Sequence, residues 1–375
     1  MTQRSAKSHY NVVTLLACLF GAGLLLGCPG PGSGSITPTP GTPTPVEMPD
    51  LIKTGDFPNG IAADSDYIYV VIGEPHAGPN SLPPAAGSMS VVQVFSALDG
   101  SLVEEIPVAA GGHSLRMTPD GSALYIAHFS LDNVVTVIST KTLEVITTVG
   151  GGLQLDIMVP DALSIAGDGS YVYVGNNGPV GAGWISRIDT TTNTIEPGWR
   201  VAVNGGYTCW VEVSPIDDII YANSWTGGTV QRKVISSESS AGSVAVGDFP
   251  HALAIDPTGQ FLYAMVSGSN SVVKLDGETL DNLGALPGPY LGLWGAPVGG
   301  VLSESGNFLF IANHFAGSVA VLDIDPTSVD YDTVVHSYDA GLDPIFMAVA
   351  PGGERLYVAN NESSNITVID LGEFL

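Results

Sequence analysis

Six segments of the chain place a Tyr or Phe thirteen residues after a fixed landmark: Gly112 to Tyr125, Pro160 to Tyr173, Thr208 to Tyr221, Pro250 to Tyr263, Pro297 to Phe310 and Pro344 to Tyr357. A seventh pair, Pro58 and Tyr69, is two residues shorter. Self-similarity at a fixed period marks a fold built from one repeated supersecondary unit. Residues 56–370 divide into seven units of about 45 residues, the span of a four-stranded propeller blade. Between landmark and aromatic lies a turn, as in Pro119-Asp120-Gly121 and Pro257-Thr258-Gly259. Pro pre-sets φ early in such a turn and Gly tolerates its close, so the flanking segments read as a hairpin. Alternating runs follow, such as Val134-Val135-Thr136-Val137-Ile138 and Asn365-Ile366-Thr367-Val368-Ile369-Asp370. No stretch of the body keeps a helical period. The expected fold is all-β: a seven-bladed propeller of four-stranded antiparallel blades over 50–375. Radial packing buries both faces of each sheet, which accounts for 45% hydrophobic and 13% charged residues. The last unit ends on its third strand, while Leu51-Ile52-Lys53-Thr54-Gly55 stands alone at the start of the body. Pairing the two would close the ring and remove an exposed edge.

Eleven basic against 37 acidic residues give a net charge of −26, which argues against a protein that tracks nucleic-acid phosphates. Three cysteines, at 18, 28 and 209, exclude a disulfide framework and a Cys₄ zinc site. Catalytic signatures are missing from the sequence: there is no Gly-x-Ser-x-Gly elbow, no His-Glu-x-x-His, no Cys-x-x-Cys-His and no phosphate-binding glycine loop.

The N-terminus carries Arg4 and Lys7, then an apolar run from Val12 to Leu26, then Gly27-Cys28. That pattern reads as a secretory signal over 1–27, too short for the roughly 20 apolar residues of a permanent span. Residues 28–49 are rich in Pro, Gly, Ser and Thr, with little to bury, and read as an extended stalk. Leu25-Leu26-Gly27-Cys28 resembles the lipobox of prokaryotic lipoproteins. The resemblance implies that Cys28 is the lipidated residue and that the body is tethered, extracytoplasmic, to a membrane of a prokaryotic envelope.

The units themselves resemble the YVTN-type β-propeller repeat of secreted and surface-layer proteins. The motif stands as Tyr-Val-Ala-Asn at 357–360, Tyr-Val-Gly-Asn at 173–176 and Phe-Ile-Ala-Asn at 310–313. Relatives of that repeat are mostly binding or scaffolding modules, while similar seven-bladed rings include lactonases and cofactor-using oxidoreductases. The resemblance therefore implies the fold and leaves activity open.

Long insertions gather on the face that carries the landmarks: 74–90, 150–159, 178–183 and 287–296. Only 325–332 falls on the turn side. Loops add bulk where partners are met, so the landmark face is the expected binding surface. The residues just after the landmarks are Asn59, His113, Asp161, Cys209, His251, Val298 and Ile345. Three residues after the aromatics stand Ile72, His128, Asn176, Ser224, Val266, Asn313 and Asn360. Counting outward from Asp120-Gly121 pairs 113 with 128, which would make His113 and His128 cross-strand neighbours, with Asp161 and Asn176 paired likewise. Imidazole and carboxylate together suit a divalent metal, a polar pocket, or structural hydrogen bonds to loop backbone. His251, three blades from His113, is expected to lie too far away to join the same ion. Trp225 and His314 lie on the same face and offer stacking surface. The channel-mouth set is thus Asn59, His113, His128, Asp161, Asn176, Trp225, His251, Asn313 and His314. The expected function is a monomeric, lipid-anchored binding or scaffolding module for a protein or small-molecule ligand, with no resident cofactor and no nucleic acid. A lactonase-like hydrolase or an oxidoreductase using the same face is the alternative, with His113, His128, Asp161 and His251 as its acid–base or ligand groups.

Overall fold

The computed structural model describes residues 48–73, 89–151, 156–178, 181–289, 294–372 and 374. These residues form seven antiparallel sheets arranged as a ring, and no α-helix occurs among them. The innermost strands, in blade order, are Pro58–Ala63, Gly112–Met117, Pro160–Ile165, Val211–Val213, Pro250–Ile255, Pro297–Leu302 and Pro344–Val349. Each of these strands touches the innermost strand of the next blade, and the last touches the first. The signal, Cys28 and most of the stalk lie outside the described residues, as do 74–88, 152–155, 179–180 and 290–293 within the expected landmark-face insertions.

Closure is made by the chain's own start. Leu51–Lys53 pairs with Asn365–Asp370 as the outermost strand of blade 7, with Leu51 opposite Thr367 and Lys53 opposite Asn365. Thr54 N donates to Ser364 O and Val368 N to Asp50 O, at 3.1 and 2.8 Å. Ile52 is buried and shares one apolar cluster with Ile68 and Phe95 of blade 1 and Ile366 of blade 7. Blade 3 departs from four simple strands: its outer position is split into Thr194–Ile195 and Val201–Val203, both paired with Gly183–Asp189. Pro197, which has no N–H, and Gly198, at φ +81°, interrupt the ladder there. Trp199 folds into the gap and packs 5.6 Å from Tyr173, with the Arg187 guanidinium 4.6 Å from its ring.

The repeated aromatics Tyr69, Tyr125, Tyr173, Tyr221, Tyr263, Phe310 and Tyr357 are all buried. They fill the wedge between neighbouring sheets, where one large ring contributes more apolar burial than any aliphatic side chain. Towards the axis the wedge narrows and bulk becomes the problem. A Cβ on Gly60 would lie 2.5 Å from Leu115 N, and one on Gly299 would lie 2.0 Å from Ile345 O. Glycine at these two positions lets adjacent inner strands approach.

Candidate functional site

The entrance to each inner strand has a common build. The residue before the landmark takes a left-handed conformation in six blades: Phe57, Gly111, Val159, Phe249, Ala296 and Asp343, with φ between +41° and +69°. The ladder then slips just after the landmark, between Pro58 and Ile61, Gly112 and Ser114, Pro160 and Ala162, Pro250 and Ala252, Pro297 and Gly299, and Pro344 and Phe346. A bulge adds one unpaired residue and re-aims its side chain. His113, Asp161, His251, Val298 and Ile345 are those added residues, placed at the channel mouth.

This bulge overturns the expected cross-strand pair. Gly112, not His113, stands opposite His128, and Pro160, not Asp161, stands opposite Asn176. His113 and His128 are therefore separated: one enters the channel mouth and the other is enclosed in the sheet. His128 has no exposed surface. Its Nδ1 lies 3.2 Å from Ala110 O and its Nε2 lies 2.8 Å from Thr136 Oγ1. Burial pushes its pKa down to about 4, so the ring is neutral at ordinary pH. Asn176 and Asn313 are equally enclosed. Asn176 accepts from Met158 N at 3.0 Å and donates to Ser186 Oγ at 2.9 Å, a loop-anchoring role. Asn313 Nδ2 donates to Ser318 Oγ.

What the mouth does gather centres on Asp161. His113 Nδ1 is 2.8 Å from Asp161 Oδ1, and Asn177 Nδ2 donates to Oδ2 at 3.3 Å. Cys209 turns its thiol to the same carboxylate; burial first, and then that neighbouring charge, raises the thiol well above its ordinary pKa. Such a thiol is a poor nucleophile. Burial works to lower the His113 pKa, but the Asp161 charge and hydrogen bonds outweigh it and the net shift is upward. His251 responds to the same group. Burial holds it near 4, against the pull of Asp161 and with the push of His113 and His314. His251, three blades from His113, thus feels the Asp161 charge at the mouth. No three His, Cys, Asp or Glu side chains among the described residues are arranged to hold a metal ion.

The remaining predicted residues lie around this cluster. Asn59, almost fully buried, donates to Gly112 O at 3.3 Å and accepts from Asn361 at 2.9 Å, stitching blade 7 to blades 1 and 2. His314 pairs with Asp343 through Nδ1 and packs beside the exposed Phe315. Trp225 stacks on Phe249 at 4.2 Å.

Below the mouth the channel is crossed by an aromatic pair. Trp210 of blade 4 stacks on Phe346 of blade 7 with centroids 6.0 Å apart and planes 16° apart, and His113 meets Phe346 edge-on at 5.3 Å. From this level towards the turns extends a cavity of about 410 Å³, lined by Ile61–Ala63, Leu115–Met117, Trp210, Glu212, Leu253–Ile255, 299–302 and 345–349. Its wall holds two charged residues, Arg116 and Glu212. A signal for them exists in the sequence. Four residues past the landmarks stand Ala62, Arg116, Ser164, Glu212, Ala254, Val301 and Ala348, apolar or small except for these two.

The comparisons with known proteins agree with this architecture. A family model described as "Lactonase, 7-bladed beta-propeller" matches residues 293–373. No curated protein matches the chain. Among many solved chains of like fold, the hydrazine synthase of Kuenenia stuttgartiensis superposes with a TM-score of 0.67 at 20% identity, covering 88% of this chain and 98% of that one. At such identity the likeness speaks to the fold alone, and the chain is a seven-bladed β-propeller.

Proposed function

We propose that this chain is a binding module, tethered outside the cytoplasm through lipidated Cys28, that engages its partner with the landmark face around the channel mouth. The observation that supports this reading is the convergence of His113, Asp161, Cys209 and His251 from four blades onto one polar cluster. Polar groups held at the mouth of a rigid ring suit recognition. The enzymatic alternative draws its support from the family-model match over residues 293–373. It asks His128 to act beside His113, and His128 is shut inside the sheet. Photo-reactive residues at Phe315 and Glu362 on the landmark face, and at Asp120 and Gln260 on the turn face, test the assignment in intact cells. Adducts are expected from the first two and not from the second two; equal labelling from both faces, or none at all, overturns it. Metabolic labelling with an alkynyl fatty acid is expected to mark the chain and to fail for Cys28→Ala.

A further inference from the structure

The turn-side half of the channel carries chemistry of its own. Arg116 and Glu212 stand at the same height, in blades 2 and 4, with Ser164 of blade 3 between them; Ser164 Oγ is occupied by Val213 N at 3.1 Å. Arg116 uses one donor on the neighbouring Leu115 carbonyl at 3.0 Å, and its Cζ lies 4.9 Å from the Trp210 ring centroid. None of the ion pairs among the described residues involves it. Most of a five-donor fork is thus turned to the cavity, and a guanidinium keeps its charge at any working pH. Glu212 does not neutralise it through direct contact. Its Oε2 accepts from Trp210 Nε1 at 3.1 Å, so the indole holds the carboxyl on one side and meets the guanidinium on its face. The rest of the wall is aliphatic and aromatic: Ile61, Leu253, Val301, Ile345, Phe346 and Met347 among others.

We propose that this cavity binds a small monocarboxylate with an apolar body, the carboxylate on Arg116 and the body along Trp210, Phe346 and the aliphatic wall. A guanidinium recognises a carboxylate through two parallel N–H donors, and pockets of a few hundred Å³ with an apolar wall and few polar groups are the usual form of small-molecule sites. Glu212 sets the pH range. Burial raises its pKa to about 7, against the pull of Arg116. Below that value the neutral carboxyl donates to the second carboxylate oxygen; above it, Glu212 competes for Arg116 and repels the ligand. The inner strands of blades 1, 5, 6 and 7 add no charged group to this wall. Asp64 and Asp256, at the turn ends, are engaged by Tyr67 N and Phe261 N, His113 meets Phe346 edge-on, and neither His113 nor His251 lines the cavity.

Titration calorimetry with benzoate and octanoate at constant ionic strength tests the site, with benzamide as the neutral control. Benzoate is about 95% ionised at pH 5.5 and fully so at pH 8.5, so the pH dependence is read from benzoate and a tenfold change belongs to the protein. Benzoate is expected to bind at least about tenfold more tightly at pH 5.5 than at 8.5. Glu212→Gln, which keeps an acceptor for Trp210, is expected to remove that pH dependence. Arg116→Met is expected to weaken benzoate at least about tenfold at pH 5.5 and to leave benzamide unchanged. If Arg116→Met fails to fold, the Glu212→Gln profile decides. No benzoate or octanoate binding to the wild type below about 10 mM, or a Glu212→Gln profile as steep as the wild type, overturns the proposal. Neither result touches the landmark-face reading, which is scored by cross-linking alone.

Discussion

Ile52 holds the ring shut, and its truncation has a cost that can be worked from its surroundings. The side chain is 3% exposed and lies within 3.0–3.2 Å of where a Cβ on Gly100 would stand, so it fills the space between blade 7 and the outer loop of blade 1. Ile52→Ala removes three buried carbons, about 2.5 kcal/mol at roughly 0.8 kcal/mol each. The surrounding Ile68, Phe95 and Ile366 collapse only partly into the space, so the cavity left behind adds about 1 kcal/mol. The total is about 3.5 kcal/mol. Leu51→Ala is the internal control, because Leu51 is 48% exposed on the same three-residue strand and is expected to cost less than about 0.5 kcal/mol. Equilibrium unfolding in guanidinium, followed by tryptophan fluorescence, gives both values. Hydrogen exchange supplies the location: the Thr54 and Val368 amides, which bond across the closure, should lose protection in Ile52→Ala before amides of blade 4 do. Equal costs for the two variants, or an Ile52→Ala cost under about 1 kcal/mol, would refute closure by this strand as a stabilising device.

Other consequences follow from the core and the mouth. His128 has its folded pKa depressed from 6.5 to about 4, so the unfolded chain binds the extra proton between those values. Its contribution is present above pH 6.5 and is lost as pH falls towards 4, by roughly 3 kcal/mol; His128→Gln should flatten the stability profile in that window. His113 is shifted upward by Asp161, so its contribution has the opposite sign: present below pH 6.5 and lost as pH rises through the folded pKa, a slope that His113→Gln should remove. Lys274 is buried and donates to Tyr331 Oη and Asp332 Oδ2 at 2.6 and 2.7 Å, holding the 325–332 insertion against blade 5. Lys274→Met should cost about 2–3 kcal/mol and make that insertion the first site of limited proteolysis. Gly299→Ala must displace the Ile345 carbonyl and should cost about 1–3 kcal/mol in thermal or chemical unfolding.

Much of the architecture could be read from spacing. Blade number follows from the thirteen-residue interval, because each Tyr or Phe must fill an equivalent inter-sheet wedge, and closure follows from the orphan strand at Leu51. Register near the mouth could not be read the same way. Counting from the Asp120-Gly121 turn gives the right partners as far as Ser114 opposite Ala127, but it assumes one residue against one. The bulge breaks that assumption at His113, and nothing in the local composition announces it. Asn176 and Asn313 stand near the ends of their strands, as the spacing predicts, yet polar identity there does not distinguish a ligand group from a loop anchor. Arg116 and Glu212 stand within their strands, where no loop or turn marks a channel-facing position in the sequence.

The extra residue at the head of the inner strand in six blades is exempt from the one-to-one demands of the ladder. Val298 and Ile345 can therefore change identity without altering the ladder, whereas His113 also holds the Asp161 carboxylate. A ring assembled this way offers its mouth as a set of exchangeable positions on an invariant frame, where a new specificity can be written one side chain at a time.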